Sequence, residues 1–245
     1  MRNQQLLLIF VVPLFLCSCV RYVAGRVGLT DEAPRLQSLP VEGKEVYFLG
    51  MMHLARPAFY ANTQKVVEDL QAKGFVCYLE SITGVDSNTR PAFDTTAFRK
   101  FRKLLKLQVG VQYSKNDNPI MQKMVKQLGL VDQPNYPLMG VQRYRWVDMS
   151  YSDLVRIYEF KHAPVLLDSC DLNTALDKPY SCSGAGSGRR SFLEEVMQYE
   201  RNRFIAQTVL RSEDKKILIL YGKAHYDGVL AELRLAATQA AAVRR

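Results

Sequence analysis

Short apolar runs rich in β-branched and aromatic residues most constrain what this chain can fold into. Two of them, residues 46–49 and 75–79, flank a segment at 58–73 whose apolar residues recur at helical spacing. A strand, a helix and a second strand within about 35 residues are typical of a βαβ unit with parallel strands. A third apolar run, residues 216–221, adds another strand. The sequence therefore predicts an α/β fold with a mostly parallel central sheet flanked by helices.

The region between the second and third runs predicts mainly helices, which we interpret as a helical insertion into the middle of the fold. Polar residues that cap helix N-termini mark where these helices begin. Gly129 favours the left-handed conformation that ends a helix. The predicted starts are the N-cap pair Asn118 and Pro119, a capping box of Ser150 and Asp153, and a second capping box of Ser191 and Glu194.

The domain boundaries follow from composition. A length of 245 residues suits one α/β domain, and 48% hydrophobic with 23% charged residues is ordinary globular composition. Prolines and scattered polar residues predict a tether over 19–43, followed by the folded domain at 44–235. The Ala-rich segment 236–245 predicts a frayed tail.

The N-terminal residues predict an export signal. Residues 6–16 form an apolar run of 11 residues after Arg2, which is shorter than the roughly 20 residues of a membrane-spanning helix. The run ends in Leu16-Cys17-Ser18-Cys19, which resembles a bacterial lipoprotein box. That resemblance implies a signal peptide over 1–18 and a lipid anchor on Cys19, which would tether the protein in the cell envelope outside the cytoplasm. The alternative is an ordinary secretory signal with incidental cysteines.

Basic residues are dense in one short segment of a chain with net charge +9. Export argues against nucleic acid as a partner. Phe98, Phe101, Leu104 and Leu105 alternate with the basic residues at helical spacing, so the segment predicts a helix with a solvated basic face. Attraction to anionic lipid headgroups is the alternative. The basic residues are Arg99, Lys100, Arg102, Lys103 and Lys106.

The cysteines of the folded part divide into two kinds. Cys77 lies inside an apolar run and predicts a small core residue. Cys170 and Cys182 flank a segment containing Ser, Gly and Pro, and in an oxidising compartment they form either a disulfide or two free thiols. Their spacing offers no further Cys or His for a zinc site.

Two strand-like runs end in the same signature, Gly50-x-x-His53 and Gly222-x-x-His225. Parallel strands deliver the residues at their carboxyl ends to one crevice, where α/β proteins bind ligands. Glu80 ends the neighbouring run and reaches the same edge. Glycine permits a sharp turn off each strand. Two imidazoles and one carboxylate suit a divalent metal with open positions, so we predict a metal-dependent catalytic site.

Arg201 is a further candidate for this site. A helical stripe with a spacing of four predicts that it faces inward, where an arginine needs a carboxylate or an anionic ligand. The alternative is that its side chain extends to solvent. His162, near a helix end, predicts a structural role. The stripe consists of Leu193, Met197, Arg201, Ile205 and Thr208.

These motifs, together with Glu200-Arg201-Asn202, resemble the TraB/PrgY/GumN family, which includes the Tiki proteases. The resemblance covers about 44–235 and implies an α/β fold shared with erythromycin-esterase-like and ChaN-like proteins. It also implies a metal-dependent peptidase that favours manganese or cobalt, acts on a peptide or protein and is anchored in a lipid bilayer. His53 and His225 would be metal ligands or near neighbours of the metal, Glu80 a metal ligand or general base, and Arg201 a polariser of the substrate carbonyl. Met51-Met52 fills the first motif with bulkier residues than the family usually has there.

Three functions remain open from the sequence. The first is metal-assisted hydrolysis of a peptide bond, with Arg201 at the developing oxyanion. The second is a lipoprotein of the same fold that captures haem or a metal without hydrolase activity, with His53 or Tyr78 as the axial ligand. The third is a structural lipoprotein whose site has decayed.

Overall fold

The computed structural model describes residues 24–82, 94–106, 112–115, 118–178, 180, 182 and 188–243. The predicted signal peptide at 1–18 and Cys19, the predicted site of a lipid anchor, lie outside this part of the chain. Two compact units can be distinguished. The described residues within Met1–Pro34, Met51–Asp69 and Val111–Gln142 form the small unit, and those within Arg35–Gly50, Leu70–Gly110 and Arg143–Arg245 form the sheet unit.

The strands are short, and most belong to one sheet. They are β1 (Leu36–Leu39), β2 (Glu45–Met51), β3 (Leu54–Ala55), β4 (Val76–Leu79), β5 (Val131–Asp132), β6 (Tyr144–Trp146) and β7 (Lys216–Gly222). The five-stranded sheet has the order β1-β2-β7-β4-β6. β1 is antiparallel to β2, whereas β4 is parallel to β6 and to β7. The predicted α/β class with a mostly parallel sheet flanked by helices is confirmed at this level.

The helices account for most of the remaining described residues. They are α1 (Pro57–Ala72), α2 (Thr95–Leu105), α3 (Pro119–Leu128), α4 (Tyr151–Lys161), α5 (Ser169–Asn173), α6 (Arg189–Ser191), α7 (Arg201–Arg211) and α8 (Tyr226–Val243). A π-helix, Phe192–Glu200, joins α6 to α7. Short 3₁₀ turns occupy Tyr113–Lys115, Tyr136–Met139 and Lys223–His225. Within the described residues, every helix is too short or too polar to cross a membrane.

β7 is the centre of the sheet unit. Residues 217–221 of this strand all have 0% exposure. Such a continuous apolar run is typical of a strand covered on both faces. α7 and α8 pack against the sheet through Ile205, Val209 and Val229. β7 also lies between β2 and β4, so the two strands of the predicted βαβ unit share the sheet without being neighbours.

Two predicted boundaries differ from the structure. The predicted tether at 19–43 contains β1, which pairs with β2 from Leu36↔Leu49 to Leu39↔Val46. Leu39 is 2% exposed, so burial of its side chain holds this short strand to the sheet. The predicted frayed tail at 236–245 is helical as far as Val243, because α8 continues through its alanines, which have the highest helix propensity.

The basic residues of α2 hold a loop and do not form the solvated face that the sequence predicts. Arg102 is 2% exposed, and its guanidinium donates to the carbonyl oxygens of Ala175 at 3.0 Å and Lys178 at 2.7 Å. Arg99 donates to the carbonyl oxygen of Thr174 at 2.8 Å. Lys103 forms an ion pair with Asp171 at 2.5 Å. These donors satisfy carbonyl groups that a loop cannot pair with itself.

The same loop is closed by a disulfide between Cys170 and Cys182. Of the two alternatives for these cysteines, the structure has the bonded one. Cys77 is a buried free thiol whose pKa burial raises to about 12, in agreement with its predicted place in the core.

Replacing both Cys170 and Cys182 by Ser is expected to lower the free energy of unfolding by about 2–4 kcal/mol, because the bond restricts the unfolded chain. The sequence separation of the two cysteines is 12. Denaturant unfolding of the oxidised protein and of the double variant measures this difference. Dithiothreitol should lower the midpoint of the wild type alone. An equal response in the double variant would contradict the prediction.

The small unit contains the two-stranded sheet of β3 and β5, which are antiparallel. The predicted caps of α3 are confirmed there. Asn118 accepts hydrogen bonds from the backbone at the start of α3, and Gly129 ends the helix with φ 63°. Leu54, Leu128 and Leu130 form the buried cluster of this unit.

Candidate active site

Carboxylates follow the carboxyl ends of two neighbouring parallel strands in the sheet unit. Glu80 comes directly after β4, and one residue, Val147, separates Asp148 from the end of β6. β7, the other neighbour of β4, ends at Gly222, and its 3₁₀ turn ends at His225. Since these strands are parallel, all of these groups lie at one edge of the sheet, which is the usual ligand-binding edge of α/β proteins.

The π-helix determines which residues of the following helix face this edge. The buried residues in this stretch are Phe192, Val196 and Arg201, with spacings of four and then five. A π-helix bonds i to i+5, so it shifts the buried face by one residue relative to an α-helix. The predicted stripe therefore fails at Leu193 and Met197, which are only partly buried. Arg201 faces inward as predicted, and Asn202 joins it on the buried side.

The predicted start of this helical region is also different. Ser191 is already helical, with φ −59°, and its side chain forms no cap. The helix begins at Arg189, so the box of Ser191 and Glu194 is not used. Of the other predicted box, the N-cap half is present: Ser150 Oγ accepts from the backbone nitrogen of Asp153 at 3.1 Å, while the Asp153 carboxylate accepts from the Ser150 hydroxyl at 2.7 Å.

Arg201 is the centre of a buried cluster. Its exposure is 3%, and its guanidinium pairs with both oxygens of Asp148, at 2.9 and 2.7 Å. Nη2 also donates to Glu80 Oε1 at 2.7 Å and to the Tyr221 hydroxyl at 3.3 Å. Nη1 faces the Met197 carbonyl at 3.4 Å and His225 Nε2 at 3.2 Å. The five N–H groups of the guanidinium therefore all have acceptors within the protein.

Glu80 is the accessible carboxylate of the cluster. Its side chain is 16% exposed, whereas that of Asp148 is 1% exposed. Burial by itself would raise the pKa of the Glu80 carboxyl, but the charge and hydrogen bond of Arg201 lower it below its usual value. Oε2 accepts from the backbone nitrogen of Gly222 at 2.6 Å. Glu80 is therefore ionised at neutral pH and held on both oxygens.

His225 is fixed as one neutral tautomer by its partners. Nδ1 lies 2.7 Å from the side-chain oxygen of Asn202, so Nδ1 carries the hydrogen and donates it. Arginine has no acceptor, so the Nε2 lone pair accepts from Arg201. His225 is 6% exposed, and its Nε2 lies 4.0 Å from Glu80 Oε1.

The glycines of the two signatures serve close packing and not the sharp turns that the sequence predicts. Neither Gly50 nor Gly222 has a positive φ. A Cβ on Gly50 would lie 2.8 Å from the Cβ of Lys223. A Cβ on Gly222 would lie 3.3 Å from Glu80 Oε2. A side chain at either position would press on the turn that carries His225 or on the carboxylate.

The absence of a side chain at Gly228 leaves room for the side chain of Asn202. A Cβ at this position would overlap with the side-chain nitrogen of Asn202 and lie 2.7 Å from its Cγ. Gly228→Ala is therefore expected to lower the free energy of unfolding by about 1–3 kcal/mol, although Gly→Ala inside a helix ordinarily raises it by about 0.5–1 kcal/mol.

Chemical denaturation of four proteins measures this effect: the wild type, Gly228→Ala, Asn202→Ala and the double variant. In the Asn202→Ala background the two overlapping atoms are absent and the nearest is the Cβ of residue 202 at 3.3 Å, so adding Gly228→Ala should cost much less than it does in the wild type. An equal cost of Gly228→Ala in both backgrounds would contradict a role for Gly228 in holding Asn202.

The structure places the other predicted residues elsewhere. His53 belongs to the small unit, where its exposed ring stacks on Tyr113 with centroids 4.9 Å apart and an interplanar angle of 6°. His162 caps α4, and its Nε2 lies 3.1 Å from Glu195 Oε2. Tyr78, considered above as a haem ligand, is 1% exposed, and its hydroxyl lies 2.5 Å from Ser212 Oγ and donates to Asp214 at 2.9 Å.

The cluster does not fit the divalent metal that the family resemblance implies. Glu80 Oε1, Asp148 and His225 Nε2, the groups that would bind a cation, already accept from the Arg201 guanidinium. A divalent ion would have to share these donors with a fixed positive charge. No group of three or more His, Cys, Asp or Glu side chains within the described part of the chain is placed to hold a metal.

Sequence reasoning missed three residues of the cluster, Asp148, Asn202 and Tyr221, the last of which it counts only as part of an apolar strand. Asp148 follows a strand of three residues with exposed side chains, which gives no apolar run to detect. Asn202 stands next to Arg201 and is 4% exposed. On a regular α-helix, adjacent residues point 100° apart, so only the family motif Glu200-Arg201-Asn202 indicates that it matters.

A function for this chain must therefore be inferred from the geometry of one cluster at the carboxyl edge of the sheet. It consists of Glu80, Asp148, Arg201, Asn202, Tyr221 and His225. Comparisons with protein-family models, with curated proteins and with solved structures give no match for this chain.

Proposed function

We propose that this protein is a hydrolase of the peptidase type, with Glu80 as the general base. The observation that carries this proposal is the state of Glu80, an ionised carboxylate held on both oxygens and partly exposed at the ligand-binding edge of the sheet. A buried network of two carboxylates and an arginine rarely improves stability over apolar packing. Perturbed ionisable groups of this kind cluster at functional sites.

The chemistry assigned to the cluster is proton transfer. Glu80 takes a proton from the attacking water while the water oxygen forms a bond to the substrate carbonyl carbon. The carbon–nitrogen bond then breaks, and the proton passes to the leaving amine. No metal takes part in these steps, because the carboxylate oxygens that would bind one already accept hydrogen bonds from Arg201.

Arg201 is a positioning residue in this proposal. Its N–H groups all have acceptors in the protein, so none is directed at a substrate carbonyl, as the family resemblance would require. It keeps Glu80 ionised and oriented and holds the Nε2 side of His225. Asn202 holds the Nδ1 side of the same ring.

The finer parts of the assignment rest on two resemblances, that of the Gly-x-x-His signatures, Glu80 and Glu200-Arg201-Asn202 to a family, and that of residues 16–19 to a lipoprotein box. These finer parts are an erythromycin-esterase-like or ChaN-like fold, membership of the TraB/PrgY/GumN family, and anchoring through Cys19 in the cell envelope. The alternative, haem or metal capture without hydrolysis, predicts a Soret band after mixing with haem. Because the Tyr78 hydroxyl is hydrogen-bonded to Ser212 and Asp214, His53 is the remaining candidate for the axial haem ligand.

The test is hydrolysis of a panel of peptides, a protein substrate such as casein, and small esters. The wild type and Glu80→Gln are each measured with EDTA and with added manganese. We expect the wild type to cleave at least one amide or ester substrate faster than Glu80→Gln in both conditions. Equal rates for the two proteins across the panel would contradict the proposal.

A further inference from the structure

We infer that the side chain of Arg201 is the resident cation of this cluster, and that its removal converts the cluster into a divalent-metal site. This inference concerns the ligand chemistry of the same cluster and rests on the proposed function only for its location. The metal predicted from the sequence is, on this view, replaced by a guanidinium that belongs to the chain.

The first support is that several groups able to bind a metal converge on one nitrogen of Arg201. Nη2 of Arg201 lies 2.7 Å from Glu80 Oε1, 2.7 Å from Asp148 Oδ2 and 3.3 Å from the Tyr221 hydroxyl. His225 Nε2 lies 3.2 Å from the neighbouring Nη1. Two carboxylates and an imidazole around a common centre are the donor types of catalytic metal sites.

The second support is charge. Glu80 and Asp148 carry two negative charges at an edge where Asp148 and Arg201 side chains are 1% and 4% exposed. Such carboxylates need a cation nearby, because water does not solvate them. Arg201 supplies one positive charge and contacts both, so it fills the electrostatic role that a metal has in such a set.

The third support is the orientation of the donors. The Nδ1–H of His225 donates to Asn202, which directs the Nε2 lone pair toward the centre of the cluster. A carboxylate or amide partner on the second ring nitrogen is how proteins orient imidazoles that bind metals. Here the oriented lone pair accepts from Arg201.

The distances also show how far the metal-binding atoms must move if an ion replaces the guanidinium. Charge-assisted hydrogen bonds have lengths of about 2.7–2.9 Å, whereas oxygen–metal bonds have lengths of about 2.0–2.2 Å. The carboxylate oxygens must therefore move inward by about 0.5–0.9 Å and His225 Nε2, now 3.2 Å from Nη1, by about 1.0–1.2 Å, which side-chain adjustment can supply. Truncation to Ala opens the space that the ion takes.

The test is a manganese titration of the full chain, in which the electron paramagnetic resonance signal of the free ion is measured at each step. The proteins are the wild type, Arg201→Ala and Arg203→Ala. Arg203 is an exposed arginine two residues away, so it is the matched control. We expect Arg201→Ala to bind one ion per chain at least tenfold more tightly than the wild type and the control. Adding Glu80→Gln to Arg201→Ala should abolish the gain.

A second measurement keeps the inference testable if Arg201→Ala is poorly folded. Manganese should raise the thermal midpoint of Arg201→Ala and of Arg201→Met, since binding to the folded state stabilises it. It should leave the wild type and Arg203→Ala unchanged.

Two outcomes would overturn the inference. One is a wild type that binds a stoichiometric divalent ion which Glu80→Gln loses. The other is an Arg201→Ala that gains neither affinity nor thermal stability from manganese. Neither measurement uses hydrolysis, so its result is independent of whether the proposed peptidase activity is found.

Discussion

Arg201→Met is expected to lower the free energy of unfolding by about 3–5 kcal/mol, because breaking a buried ion pair leaves its partners as uncompensated charges. The methionine fills much of the volume of the arginine, so the loss reports the charge more than a cavity. Both Glu80 and Asp148 lose their cation in this variant. The effect is large for a domain whose total stability is of the order of 5–15 kcal/mol.

Urea unfolding of the purified proteins measures this loss, with Arg203→Met as the matched control. Arg203 is exposed, and its ion pair with Glu200 is long, at 4.0 Å. Its replacement should therefore change the free energy of unfolding by about 0.5 kcal/mol or less. A loss in Arg201→Met no larger than in the control would show that the cluster does not hold the ionic network described above.

The pH dependence of the same experiment has a defined sign. In the wild type the pKa of Glu80 is below its usual value, so its stabilisation is present above the unfolded pKa of about 4.3 and is lost as the pH falls through the folded pKa. In Arg201→Met the guanidinium no longer lowers the pKa of Glu80, whereas burial, which raises it, remains, so the variant should lose less stability than the wild type as the pH falls. The difference between the two proteins should therefore narrow from pH 7 toward pH 4.

Glu80→Gln is expected to lower kcat about 10²–10⁴-fold, the usual contribution of a positioned general base. Gln has nearly the same shape as Glu, so substrate binding should change little and KM should stay within a few-fold. The loss should appear in kcat and in kcat/KM together, as for an interaction needed only in the transition state. The substrate is whichever member of the panel gives the fastest turnover.

The control for this prediction is Glu45→Gln, which removes an exposed carboxylate from β2. Its rate should equal that of the wild type. The rate of the wild type should fall on the acid side as Glu80 is protonated, below the usual range of a glutamate, because its pKa is lowered. A Glu80→Gln enzyme with wild-type kcat would exclude Glu80 as the base.

The fold class is recoverable from the sequence because it depends on local patterns. Residues 217–221 are apolar without interruption, and a strand that reads this way is covered on both faces. The caps at Asn118, Gly129 and Ser150 are equally local, since each acts on backbone groups within a few residues. The order of the strands is not local, since it places β7 between β2 and β4, which lie more than 130 residues before it in the chain.

The cluster shows the same division in more detail. The sequence alone determined that Glu80 ends a strand, that His225 follows another, and that an arginine at 201 needs an anionic partner. Only the tertiary structure decided that this partner is Asp148 as well as Glu80, because that pairing joins residues 53 positions apart through the neighbouring strand β6.

The π-helix is the clearest case of a tertiary decision. An amphipathic pattern assumes 3.6 residues per turn, and under that assumption Arg201 shares a face with Met197. The packed helix instead buries Val196 and brings Arg201 and Asn202 to the same side. Thus the sequence supplied the chemical groups and their strand ends, while packing against the sheet set the helix register that joins an arginine, two carboxylates and one oriented imidazole.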